Sequence, residues 1–152
     1  MKAYIMLTFG LLCITGCLAQ SAAAQYDGAL ADSLGADEYG MKTYMMVILK
    51  TGTNRTNDEK ALDSLFRGHM ANINHLAQIG KLVVAGPFGN NDGNYRGIFI
   101  FDVKTREEAQ ALLQSDPTIR ASIFQAEVLE WYGSAALPTY LKVHERIEKQ
   151  KH

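Results

Sequence analysis

Apolar positions along the chain gather in four short runs, two of them apolar on both faces, separated by two longer amphipathic stretches. Thr43 to Lys50 (TYMMVILK) is apolar at both odd and even positions, the pattern of a strand buried on two sides. Thr51 to Asn57 supplies turn residues. Thr56 and Glu59 then have the spacing of a capping box, which predicts a helix from there to Ile79 with Gly80 as its left-handed stop. At about 100° per residue, Leu62, Phe66, Ile73, Leu76 and Ala77 fall on one stripe, with His69 near its centre and His75 on the far side. Leu82 to Ala85 predicts a second strand ending at Gly86-Pro87-Phe88. The polar stretch Gly89 to Arg96 predicts a loop, and Ile98 to Val103 a third strand. Thr105 and Glu108 open a second helix that stops at Asp116-Pro117, because a residue before proline is pushed out of helical geometry. A turn from Thr118 to Ser122 leads into a last strand, Phe124 to Tyr132.

This order is β-α-β-β-α-β, an α+β ferredoxin-like arrangement over residues 41–133. Two helices cover one face of such a sheet, yet the strands are apolar on both. The second face therefore calls for a cover, and a second copy packed sheet to sheet would supply it as a homodimer. Residues 134–152, with Tyr140, Leu141, Val143 and Ile147 among basic residues, form a tail that is equally compatible with a helix crossing a dimer and with a loose end.

The chain begins with a different signature. Met1-Lys2 followed by an apolar run to Gly16 is too short to span a bilayer and suits a signal-peptide core over residues 1–16. Ile14-Thr15-Gly16-Cys17 resembles a bacterial lipobox, in which Cys17 would be lipidated; cleavage after Ala24, in an A-x-A context, is the alternative. Either way the expected location is outside the cytoplasm, lipid-anchored in the cell envelope or in the periplasm, with the membrane reached through the N-terminal lipid only. Residues 17–40 are small and acidic without a sustained hydrophobic period, which predicts a flexible tether, with a short helix around Ala29 to Leu34 as the alternative.

Composition narrows the chemistry further. The net charge is −1, and removing the leader takes away Lys2 and no acid, so nothing suggests nucleic acid. Both cysteines, Cys13 and Cys17, lie in the leader region, so the folded part has no disulfide and no thiolate chemistry. His75, His144 and His152 lack metal-ligand spacing, so no metal is expected. The Asn90-Asn91-Asp92-Gly93 loop lacks the acidic spacing of a calcium loop, and Gly86-Pro87-Phe88-Gly89 is no phosphate loop. Tyr44, Phe99, Phe101 and Trp131 suit core and dimer packing better than a stacking platform.

His69, Gly80, the Ala85-Gly86-Pro87 turn and Asp116-Pro117, in that order from Met41 to Trp131, resemble the YciI-like (YCII-related) family. The resemblance implies a dimeric α+β barrel with no required cofactor. It also implies a catalytic pair, which falls here on His69 and Asp116. The few activities it suggests are lyase or isomerase reactions near muconolactone chemistry, including elimination of chloride from a chlorinated ring. The export signal and acidic tether depart from the family's usual short pattern and put an intracellular catabolic role in doubt.

A neutral imidazole held by an aspartate is a suitable base for taking a proton beside a carbonyl, in an elimination or an isomerisation. Backbone N–H groups near Gly86 to Gly89, in the turn that holds Gly86 and Pro87, or the Arg96 guanidinium, are the candidates for holding the developing negative charge of a small-molecule substrate. Local grounds also allow plainer roles. His69 suits a core position with satisfied nitrogens, and Asp116 is a ready N-cap with proline at N1. Three functions remain open: a cofactor-independent lyase or isomerase acting on a small organic acid or lactone, a non-catalytic envelope protein that binds a small ligand or a partner, and a dimeric-barrel monooxygenase. The first requires a solvent-reachable His69 bonded to Asp116.

Overall fold

The computed structural model describes residues 25–150. The signal peptide, Cys17, the alternative cleavage site at Ala24 and His152 lie outside the described residues. The elements run α1 (Gly28–Leu34), β1 (Met41–Thr51), α2 (Glu59–Gln78), β2 (Leu82–Pro87), β3 (Tyr95–Phe101), α3 (Arg106–Leu113), α4 (Pro117–Arg120), β4 (Phe124–Ser134), a 3-10 turn (Leu137–Tyr140) and α5 (Leu141–Ile147). The strands form one antiparallel sheet in the order β2-β3-β1-β4. From β1 onward this is the ferredoxin-like β-α-β-β-α-β fold of an α+β protein.

Strand alternation divides the side chains between two faces. Met45, Val47 and Leu49 of β1 point toward the helices and join Leu76, Leu82, Phe99, Phe101, Val103, Ala109, Leu113 and Val128 in the main core. The intervening Tyr44 points the other way and forms a smaller cluster with Val83 and Ile100, bordered by Met46, Val84, Ile98, Trp131 and Leu137. The tail covers part of this second face. Leu137 packs on the smaller cluster, and the Tyr140 hydroxyl donates to the Val83 carbonyl at 2.6 Å. Tyr140, Val143 and Ile147 remain exposed.

Several local expectations are corrected. The cap of α2 is Asp58, not Thr56: its carboxylate accepts from the N–H groups of Lys60 and Ala61, while the Thr56 hydroxyl accepts from Asp58 N in the preceding turn. Asp58 stands one residue before the helix and so completes the cap better. Thr105 does cap α3 through Glu108 N, but the Glu108 carboxylate reaches back to Lys104 N. Gly80 has φ +70 and closes the turn after α2 as expected. The third strand starts at Tyr95 and ends at Phe101, a shift toward the loop.

The expected tether holds a helix in its described part. Asp27 caps α1 through Leu30 N, and Gly35, with φ 70, ends it. No residue of α1 is buried, so its signal lies in caps and not in hydrophobic period. Asp37 then fastens the segment to the sheet. One carboxylate oxygen accepts from Tyr39 N and Met41 N, and the other accepts from the Tyr132 hydroxyl. These bonds hold the Asp37 carboxyl below the usual range, the Tyr132 bond contributing most.

Candidate active site

Two backbone features bring the site together. Gly68, in the middle of α2, lies so close to α4 that a Cβ there would meet Pro117 Cγ at 2.7 Å. That approach places the neighbours of the contacting residues, His69 and Asp116, side by side. His69 Nδ1 lies 2.6 Å from Asp116 Oδ2. Asp116 is fully buried at 0% exposure, and the His69 side chain keeps 11%.

Asp116 caps α4 and engages His69 at once. Its Oδ1 accepts from Thr118 N at 2.9 Å and from the Thr118 hydroxyl at 2.6 Å, leaving Oδ2 for the imidazole. Burial pushes the Asp116 carboxyl up, but the bonds from His69 and Thr118 together outweigh it and hold the group below its ordinary value. An ionised carboxylate only accepts, so the 2.6 Å contact requires the proton on Nδ1. The Thr118 oxygen, 3.3 Å from Nδ1, has already committed its own proton to Asp116.

In the neutral ring Nε2 then carries the lone pair. Nε2 has no hydrogen-bond partner among the described residues, and no fully buried side-chain nitrogen or oxygen there lacks one. The His69 side chain keeps 11% of its surface in contact with solvent. The ring is walled by Phe99 at 5.9 Å, Phe124 at 5.6 Å and Phe66 at 6.4 Å between centroids.

Phe66 and Phe124 belong to two environments. They flank the imidazole, and they also line a cavity of about 440 Å³ whose rim carries Arg55, Arg96 and Asn54. His69 is not itself in the lining. Arg96 Nε donates to the Thr51 hydroxyl at 2.7 Å. The loop carrying Asn54 and Arg55 is tied to the α4–β4 turn: Gly52 N donates to the Ile123 carbonyl and Asn54 N to the Ser122 carbonyl. A larger groove of about 830 Å³ between α3 and the β4 edge holds Gln110, Gln114 and Glu127 but none of the candidate site residues.

Of the expected site residues, His69 and Asp116 are brought together and Arg96 lies at the adjacent cavity. Gly86 and Pro87 do not line it; they pair with Ile98 and Gly97 in the β2–β3 ladder. His75 is exposed. Sequence reasoning missed Thr118, Gly68, Arg55 and Phe88. The isolated glycine in mid-helix was a signal for close packing, and Asp-Pro-Thr was one for a doubly bonded cap. No group of three or more His, Cys, Asp or Glu side chains is placed to hold a metal ion among the described residues. No helix there is long and apolar enough to cross a membrane.

Fold and site together define a ferredoxin-like α+β domain carrying a buried histidine–aspartate pair beside an aromatic cavity. The chain belongs to the YCII-related domain family, matched over residues 44–132. No curated protein matches it significantly. Among solved structures it is similar to 5-chloro-2-hydroxyhydroquinone dehydrochlorinase (TftG) from Burkholderia phenoliruptrix AC1100, in complex with 2,5-dihydroxybenzoquinone. That similarity has 21% identity and a TM-score of 0.42, and covers 57% of this chain and 92% of that chain.

Proposed function

We propose that the protein is an exported, cofactor-independent lyase or isomerase that uses His69 as a general base on a small organic acid or lactone. The observation that carries this reading is the 2.6 Å Nδ1–Oδ2 bond combined with an Nε2 that has no partner among the described residues, on a side chain that is 11% exposed. A core histidine would have both nitrogens satisfied. Here one nitrogen is fixed and the other has no partner among the described residues, as proton abstraction requires. Nε2 takes a proton from a carbon beside a carbonyl, Asp116 stabilises the imidazolium, and the proton returns at another position or leaves as a substituent departs.

The test is proton exchange and isomerisation of a panel of butenolide carboxylates in D2O, followed by proton NMR. The wild type should exchange the acidic C–H, and His69→Gln should lose roughly 10²-fold or more of that rate. Equal rates in the two proteins would remove the catalytic reading in favour of a ligand-binding envelope protein.

Two further proposals accompany this one. Cys17 carries a lipid anchor, so metabolic labelling with palmitate should be lost in Cys17→Ser. The chain works as a homodimer joined through the second sheet face, where Met46, Ile48, Ile98 and Leu129 are only partly buried or exposed.

A further inference from the structure

We infer that the cavity beside the pair binds a planar ring bearing a carboxylate, with Arg55 and Arg96 gripping the carboxylate and Phe66, Phe88 and Phe124 holding the ring. Its lining contains two guanidinium groups and no acid. Neither Arg55 nor Arg96 takes part in an ion pair among the described residues, where the ion pairs are Lys42–Asp102, Lys50–Glu127 and His69–Asp116. Two uncompensated cations at one cavity favour an anion.

The geometry at Arg96 specifies the kind of anion. Its Nε is committed to Thr51, which orients the fork while the terminal nitrogens stay without a hydrogen-bond partner among the described residues. A planar fork held in this way matches a carboxylate in two-point contact.

The walls specify the rest of the ligand. Phe66 and Phe88 are 40% and 43% exposed, which leaves two large apolar faces open to water at this cavity. Phe66 and Phe124 meet edge to face at 5.7 Å, so a flat ring inserted beside them gains further stacking contact. The volume of about 440 Å³ is within the range of small-molecule sites and accommodates a single ring with its substituents.

This inference deepens the proposed function by naming its substrate class. It rests on that reading only for what happens after binding. Phe66 and Phe124 line the cavity and also flank the imidazole, so they join the ligand site to the pair.

The test is titration of the full-length protein with benzoate, with benzamide as the neutral isostere and acetate as the ringless acid, followed by calorimetry. Benzoate should bind saturably, and benzamide and acetate at least about tenfold more weakly. Arg96→Met and Arg55→Met, with unchanged circular dichroism, should each weaken benzoate by a similar factor, while His69→Gln should leave its affinity unchanged. The inference is overturned if benzoate shows no saturable binding, if benzamide binds as well, or if both arginine variants bind benzoate normally. Binding that survives in His69→Gln while no lactone is turned over by the wild type would uphold the ligand class and remove the base.

Discussion

The two faces of the sheet are built from the same four strands but serve different ends. The helix-side face is sealed by α2, α3 and α4, and eleven buried residues meet there. The opposite face buries only Tyr44, Val83 and Ile100 and leaves Leu129 38% exposed, although its strands are as apolar. The comparison separates what stabilises one chain from what awaits a second surface. Among the described residues the buried polar side chains are His69, Asp116 and Thr118, all on the sealed side, where a low dielectric strengthens their bonds and makes loss of any partner costly.

If this contrast is right, the largest stability losses arise at the sealed face. Asp116→Ala removes a buried partner and a helix cap together, and should cost about 3–5 kcal/mol in urea unfolding. A cost near that of an exposed cap alone would mean that the pair is not buried as described.

Acid should act on the same group. The Asp116 carboxyl is lowered in the folded state, so its contribution is fully present above the unfolded value near ~3.9 and disappears as pH falls through the folded value. Wild-type stability should therefore decline as pH drops below about 4, and Asp116→Asn should flatten that decline.

Gly68→Ala sharpens the comparison within the sealed face. The added methyl overlaps Pro117, a cost of about 1–3 kcal/mol, while the helix gains about 1 kcal/mol from replacing glycine. The net loss of stability should lie between zero and about 2 kcal/mol, well below that of Asp116→Ala, yet the His69–Asp116 bond should lengthen and activity should fall.

The smallest effect on the monomer is expected on the open face. Leu129→Lys should shift monomer stability by no more than about 0.5 kcal/mol while abolishing dimerisation in sedimentation velocity. An unchanged sedimentation coefficient would place any dimer contact elsewhere.

The strand order was legible because the strands stood out as short apolar runs and each helix was bounded by cap, glycine or proline. Helix α1 was legible only as the alternative to a tether, since Asp27 and Gly35 define it without any hydrophobic stripe. The pairing of His69 with Asp116 came from motif resemblance. Nothing local in the sequence shows that residues 47 positions apart will meet, and the agent of that meeting is the Gly68–Pro117 contact. The cavity was harder still to foresee. Phe66, Phe88 and Phe124 come from three separate elements or loops, and their shared opening exists only once the sheet is assembled. Gly86 and Pro87 were expected to hold substrate, yet they pair with Ile98 and Gly97 in the β2–β3 ladder and do not line that cavity.

The most direct test of the central claim is the protonation pattern of the His69 ring, observed by two-bond nitrogen–proton NMR above neutral pH with a soluble paramagnetic probe. The neutral ring should carry its proton on Nδ1, with a bare Nε2 and nearby ring protons broadened by the probe, and Asp116→Asn should shift the population toward the Nε2–H form. An Nε2–H tautomer in the wild type, or a ring untouched by the probe, would make His69 a sealed core residue and contradict the account.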